Sequence, residues 1–244
     1  MSLRVTTATA LRVLAQLRRD PRTIALLLVV PSALVTLLKY VLEGQPGSFD
    51  RIGGPLLGLF PFITMFLVTS ITMLRERTTG TLERLMTMPL AKLDLLLGYG
   101  AAFALVAAVQ AAVTSAIALG ALDLHVGGSS WAVVGLAIGN AVLGMSLGLF
   151  VSAFAATEFQ AVQFLPAFVF PQLLLCGLFV PRDQMARAFE IASYCLPLTY
   201  AYDALERVTR GSGGSRIGLD VGVVVGVTLL ALALGALTLR RRTA

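Results

Sequence analysis

Long apolar runs and short polar breaks alternate along this chain. Six runs, residues 24–41, 55–74, 95–119, 131–154, 162–180 and 221–239, each carry 18 or more mostly apolar residues. A helix needs about 20 such residues to cross the hydrocarbon of a bilayer. None of the runs shows the every-second-residue alternation of a barrel strand. The pattern predicts an all-α polytopic membrane protein with six transmembrane helices. The longest gap, residues 181–220, leaves no room for a soluble domain, so residues 1–244 read as a single transmembrane domain.

Two shorter patterns flank the spans. In residues 4–20, "RVTTATALRVLAQLRRD", a helical turn of about 100° per residue puts Val13, Leu14 and Leu17 on one side and Arg12, Gln16 and Arg19 on the other. This predicts an N-terminal interfacial helix with its Arg heads turned toward lipid phosphates. In residues 181–210, Met185, Ala188, Phe189 and Ala192 follow a helical spacing, Pro197 breaks it, and Tyr200, Leu205 and Val208 resume it. Those pieces are too short and too polar to span. They predict short outer-face helices between the fifth and sixth spans. "GSGGS" at residues 211–215 is a flexible joint; it lacks the Lys-Ser/Thr ending of a phosphate-binding loop.

Composition agrees with a membrane solvent. Hydrophobic residues make up 57% of the chain and charged residues 13%, against about 25% charged in a typical soluble domain. The net charge of +6 then reads as a loop bias rather than as a nucleic-acid surface. Six spans place both termini on one side. That side carries twelve basic residues and the other seven, so the termini and residues 75–90 are expected in the cytoplasm. The N-terminus lacks the pattern of a cleaved leader, so the first run is expected to be retained. His125, Cys176 and Cys195 are too few for a soft-metal site. Both cysteines fall toward the outer side, where an oxidising compartment permits a disulfide; two buried free thiols are the expected state.

Inside the spans the chemistry is sparse. Gly135 with Gly139, and Gly144 with Gly148, are small-xxx-small pairs that let helices approach closely. Pro31, Pro61, Pro166 and Pro171 are candidate kinks. The second and fifth runs are rich in Phe. Phe62, Met65, Phe66 and Thr69 with Gln163, Phe164, Phe168 and Gln172 form a candidate aromatic, weakly polar wall for cargo; packing or lipid-facing Phe is the plainer reading of each. Lys39 sits near an outer end, and Glu158 lies in the short turn before the fifth run. No ionisable residue falls at mid-membrane, where ion-coupled transporters keep theirs. No phosphate-binding loop exists either, so energy for transport must come from outside the chain. Asp123 and His125 are the one acid–base candidate, with a solvated loop as the alternative. No catalytic residue and no metal site are expected.

The most charged break is residues 74–90, "LRERTTGTLERLMTMPL". It resembles the signature of the type-2 ABC transporter permeases, membrane subunits of exporters for drugs, lipids and polysaccharides. Arg75, Glu76, Gly80, Thr81, Leu82, Glu83, Leu85 and Pro89 carry the match. A second stretch, with Gly177, Leu178, Phe179, Pro181, Pro197, Leu198, Thr199, Tyr200, Asp203, Ala204 and Leu205, resembles the family's pattern between the fifth and sixth spans. Within that family the chain resembles the daunorubicin/doxorubicin-exporter-like permeases. The chain departs from the common pattern at Arg77-Thr78-Thr79, where many members carry a second acidic residue.

The resemblance implies a permease working as a homo- or heterodimer with two copies of a separate ATPase subunit. That ATPase, not this chain, would bind ATP and Mg. The implied setting is a bacterial plasma membrane, and the implied cargo is an amphipathic or hydrophobic drug, lipid or glycoconjugate moved outward. It further implies that Arg75, Glu76, Arg77, Gly80, Thr81, Leu82, Glu83, Arg84, Leu85 and Met86 couple to the ATPase. The residues suit such a helix. Gly80 or Thr81 can start it, Glu83 favours its N-terminus and Pro89 stops it. Leu82, Leu85 and Met86 share a face for a partner groove. Phe179, Pro181, Pro197, Thr199 and Tyr200 would belong to an outer gate. The competing classes are a stand-alone secondary transporter or channel, and an intramembrane lipid-modifying enzyme resting on Asp123 and His125.

Overall fold

A computed structural model of the chain describes residues 3–45, 47–81, 92–212 and 214–238. Among these residues there is no strand. Helix α1 spans Leu3–Arg18, α2 Pro21–Val41, α3 Ser48–Thr78, and α4 Lys92–Ala116 with a π-helical extension Ile117–Ala121. Helix α5 spans Ser130–Val151 and closes with a 3-10 turn, Ser152–Phe154. Then come α6 (Glu158–Phe164), a π segment (Leu165–Val169) and α7 (Phe170–Leu175). A 3-10 turn at Arg182–Gln184 leads to α8 (Arg187–Ser193), α9 (Pro197–Thr209) and α10 (Arg216–Thr238).

Five helices among the described residues are long and apolar enough to cross a bilayer: Pro21–Val41, Ser48–Thr78, Asp94–Ala121, Ser130–Phe154 and Arg216–Thr238. The fifth apolar run folds differently from a plain span. It is helical from Glu158 to Leu175 but broken by its π segment, and residues 176–180 lie outside the helix. The two prolines supply the reason. Pro166 has no N–H to offer the Val162 carbonyl, and the Leu165 N–H bonds that carbonyl instead. The register then widens, with the Phe170 N–H reaching the Leu165 carbonyl five residues back. Gly177, at φ 103°, turns the chain away afterward.

Helix α3 is longer than the apolar run that predicts it. It starts at Ser48 and continues through Arg75, Glu76 and Arg77 to Thr78, so the polar break at residue 75 opens as helix rather than as loop. Position explains this. α3 is the centre of the bundle, with 61% of its most apolar window buried inside the chain, against 22% for α2 and α10. The outward faces of α2 and α10, with Leu26, Val29, Leu37, Leu229 and Leu237 exposed, suit lipid tails.

The main packing contact is α3 on α5. A Cβ at Gly144 would fall on the Phe62 carbonyl, and one at Gly148 on the Phe66 carbonyl and the Thr69 hydroxyl. Thr69 Oγ1 also donates across the contact to the Met145 carbonyl at 3.2 Å. Of the two glycine pairs, only Gly144/Gly148 makes a close approach; Gly135 and Gly139 have nothing within 4 Å of a Cβ position. Near the other end of α3, Gly58 makes room for Asn140 of α5 and Leu205 of α9, and Gly54 for Thr209. Helix α9 buries Leu198, Ala201, Ala204, Leu205 and Val208, and the Gly127 N–H donates to the Thr209 carbonyl at 2.7 Å. The amphipathic α1 lies along α4, with Thr9 against Gly98 and Val13 buried in the core.

Gly148→Val should destabilise the purified chain by about 1–3 kcal/mol through overpacking, whereas Gly139→Ala should leave its melting temperature unchanged or raised. Equal effects in a thermal melt would show that the glycine contact is not what holds α3 to α5.

Candidate functional site

The two ends of the bundle carry most of its charge. The end holding α1, the close of α3 and the start of α4 is called the near end, and the opposite end the far end.

At the near end, Glu76 is 8% exposed and turned into the bundle. The Tyr99 hydroxyl donates to its Oε2 at 2.8 Å, and the Arg12 guanidinium pairs with the same oxygen at 3.3 Å. Arg12 also donates to the Tyr99 hydroxyl, and its guanidinium carbon lies 5.6 Å from the centre of the Tyr99 ring. This corrects the expectation for Arg12, which does not turn away from the apolar side of α1 toward lipid phosphates. A carboxylate on a buried helix end needs a cationic partner, and α1 supplies it. Since α1, α3 and α4 each contribute one member, the trio fixes where the last turn of α3 stands.

Arg75, one residue earlier, points outward. It makes a bidentate bond to Glu158 at the start of α6, Nε to Oε1 at 2.7 Å and Nη2 to Oε2 at 3.0 Å. These bonds hold the Glu158 carboxyl below its ordinary range. Arg77 is half-buried, and its Nε makes no hydrogen bond. The Thr79 hydroxyl donates to the Arg75 carbonyl at 2.8 Å and meets the Thr81 hydroxyl at 3.1 Å. Gly80 takes φ 72°, which ends the α3 register. Leu82, Glu83, Arg84, Leu85 and Met86 lie outside the described residues.

The expected cargo wall divides. Phe62, Met65, Phe66 and Thr69 are fully buried in the α3–α5 contact and line no open face of this chain. Gln163 and Phe168 are exposed, Phe164 is half-buried, and Gln172 is buried, its amide donating to the Phe168 carbonyl at 3.0 Å. Both prolines of the broken fifth run lie in this same stretch, so irregular backbone and outward-facing amide and aromatic side chains coincide there.

The far end holds an open cavity of about 670 Å³, lined by residues from the α2–α3 connection, the turn after α7, α8 and α9. Arg182 crosses its floor to Asp203 at 2.6 Å and lies over the Tyr194 ring at 5.5 Å. Burial works against the Arg182 charge, but the bond and attraction from Asp203 outweigh it and raise its pKa. Arg207 links Asp203 at 3.7 Å to Asp220 of α10 at 3.5 Å, and Arg210 pairs with Glu206 at 2.7 Å. Burial, then the Glu206 charge, push the Tyr202 phenol up. Among the expected gate residues, Phe179 and Pro181 are exposed at the cavity. Pro197 opens α9. The buried Thr199 donates to the Ser193 carbonyl at 2.7 Å and the Tyr200 hydroxyl to the Tyr194 carbonyl at 2.8 Å, so both bind α9 to α8.

Asp123 and His125 do not form a pair. Asp123 sits at φ 49°, and His125 instead meets Asp50 of α3, its N–H donating to Oδ1 at 3.0 Å with the ring 84% exposed. The cysteines are free, Cys176 buried and Cys195 exposed. Lys39 lies over the Phe49 ring at 4.8 Å. Among the described residues no group of His, Cys, Asp and Glu could hold a metal ion.

The sequence reading missed the trio at the near end and the Arg182–Asp203 pair. Each joins residues 21 or more positions apart, beyond the reach of periodicity. The available signal was Tyr99, a phenol in an otherwise apolar run, which needs a polar partner when buried.

The sequence profile of the ABC-2 type transporter family matches residues 5–208. ABC transporter G family member 20 of Dictyostelium discoideum is 26% identical over 167 residues, covering 68% of this chain and 23% of that protein. The probable multidrug ABC transporter permease YbhR of Escherichia coli K12 is 26% identical over 159 residues, covering 63% of this chain and 42% of that protein. The chain therefore spans less than half the length of these curated relatives.

Removing one partner of the buried trio leaves an uncompensated charge, so Glu76→Ala or Arg12→Ala should cost about 3 kcal/mol and Tyr99→Phe about 1 kcal/mol, read as loss of melting temperature in detergent. The exposed Arg75–Glu158 pair should contribute less than about 1 kcal/mol. Because the Glu158 pKa is lowered on folding, that contribution is present above the ordinary carboxylate range and lost as pH falls through the folded value. The melting difference between wild type and Glu158→Gln should therefore shrink in acid.

Proposed function

We propose, from the premise that this chain belongs to the ABC-2 type transporter family, that it is the permease subunit of an ATP-driven exporter, moving an amphipathic or hydrophobic cargo outward. The observation that carries the reading is the placement of buried acids. Glu76 and Asp94 lie at the near end and Asp203 and Asp220 at the far end, while the buried polar side chains between them, such as Thr69, Gln110 and Asn140, are neutral. A carrier driven by an ion gradient needs an ionisable group along its path; a permease driven by a separate ATPase does not. The same observation counts against a stand-alone secondary transporter, and the exposure of Asp123 and His125, with His125 meeting Asp50 rather than Asp123, counts against an intramembrane enzyme.

In this reading two ATPase subunits dock at the near end, on the segment that follows α3. Glu76 acts as a positioning residue for that segment rather than as a contact. Arg75 and Glu158 tie the end of α3 to the start of α6, so a push that moves the end of α3 reaches the broken helical stretch directly. Two copies of the permease, or this chain with a homologue, pair to enclose the cargo, with Gln163 and Phe168 facing the path. Phe62, Met65, Phe66 and Thr69 support it from behind. The far-end cavity and its Arg182–Asp203 bond form the outer gate, with both termini in the cytoplasm of a bacterial cell.

The test is co-purification with the partner ATPase and measurement of ATP hydrolysis and transport in vesicles. Leu85→Asp should lower ATPase stimulation and transport at least about tenfold, the scale of losing one interface anchor, and Glu83→Ala should lower both, while membrane insertion stays normal. Unchanged transport in both variants, or transport that runs on a proton gradient without ATP, would overturn the proposal.

A further inference from the structure

The near end carries a second concave feature, away from the α3 terminus. Leu14 and Leu17 of α1, Ile24 and Leu28 of α2, and Leu105 and Val109 of α4 form a groove of about 200 Å³ with Arg18 at its rim. Leu105 and Val109 are half exposed, so the groove opens sideways from the bundle. It is smaller than the roughly 300–1,000 Å³ of an enclosed small-molecule site. An open, narrow apolar slot suits a hydrocarbon chain passing through it better than a compact ligand.

Its height in the membrane follows from the charges. After Arg22, α2 has no charged residue until Lys39, so the hydrocarbon begins just past Arg22. The α1–α2 elbow is then at headgroup level, and Ile24 and Leu28 lie in the first two turns below it. A soluble partner protein has no access to a slot between helices at that depth.

The elbow is also strongly basic. Arg18, Arg19 and Arg22 are all exposed, and none forms an ion pair among the described residues. The one carboxylate between them, Asp20, is occupied: its Oδ1 accepts the Thr23 N–H at 3.2 Å and its Oδ2 the Thr23 hydroxyl at 2.6 Å. It serves as the N-cap of α2 and leaves the three guanidiniums without an ion pair, with a net positive charge at the elbow.

We propose that this elbow is a specific site for one anionic phospholipid, with its phosphate on Arg18 and the neighbouring arginines and one acyl chain in the groove between α1, α2 and α4. The headgroup is bound by charge-assisted, fork-shaped hydrogen bonds, and the chain is held by the apolar walls. Because one lipid touches α1, α2 and α4 together, its binding reinforces the attachment of α1, whose Arg12 holds Glu76. The site depends only on the chain spanning a membrane and stands apart from the direction or cargo of transport.

The test uses the full chain, purified with its ATPase partner where one co-purifies, in nanodiscs of phosphatidylcholine with and without phosphatidylglycerol. Retained lipid is read by native mass spectrometry after mild delipidation. One phosphatidylglycerol per chain should be retained in preference to phosphatidylcholine. Arg18→Gln should reduce that preference about tenfold, the scale of a lost charged hydrogen bond. The paired variant Leu105→Trp with Val109→Trp, at half-exposed positions that tolerate bulk, keeps every arginine and should reduce retention of the lipid by filling the groove. Inorganic phosphate should not displace it. An unchanged preference in Arg18→Gln would overturn the proposal. So would full retention in the groove-filled variant, which would mean that headgroups collect on the arginines with no chain bound. Loss of the lipid when the ATPase binds would overturn it too, by assigning the arginines to the protein partner.

Discussion

In a bilayer, lipid tails compete on nearly equal terms for apolar side-chain surface, so helices are held best where backbones come close. The contact of α3 with α5 is of that kind. Gly144 and Gly148 bring α5 onto the Phe62 and Phe66 carbonyls, and Thr69 adds a hydrogen bond across it. With that contact made, α3 is enclosed along most of its length and can run for 31 residues. Its two ends then present Asp50 and Glu76 at opposite faces of the bundle. The near-end cluster is built on this helix through Glu76, and the far-end cluster is carried by α9, which packs against it at Gly54 and Gly58.

Charge is handled in a consistent way. Among the described residues the middle of the bundle buries neutral polar groups, and the ionic bonds lie at the ends. At the near end one carboxylate is shared by a phenol and a guanidinium. At the far end Asp203 and Asp220 share Arg182 and Arg207. Moving any of these inward would cost several kcal/mol of desolvation, while near the interface water and headgroups lower that cost. A neutral interior leaves the charged groups of the described residues at the two ends.

The broken helix α6–π–α7 is the counterpart to the long, enclosed α3. Two prolines five residues apart leave carbonyls without their usual donors; the Leu165 N–H takes the Val162 carbonyl and a π register follows. A stretch with fewer regular hydrogen bonds bends at lower cost than α3. Through Arg75 and Glu158 its start is bonded to the end of α3, so the longest helix and the least regular stretch among the described residues meet at the near surface.

Much of this was legible in the residues. Run length and the absence of alternation determine an all-α polytopic protein, because the bilayer fixes how many apolar residues a helix must carry. The Pro break at residue 197 determines two short helices, since a proline N–H is missing whatever surrounds it. The tertiary structure decided what periodicity could not. It turned Arg12 and Glu76 inward, made Gly144/Gly148 rather than Gly135/Gly139 the packed pair, and placed Phe62 and Phe66 against a neighbouring backbone. It also gave His125 to Asp50 instead of Asp123. Each of these outcomes depends on which helix lies beside which, and a helical repeat reports the angle at which a side chain leaves its own axis, not the identity of the neighbour it meets.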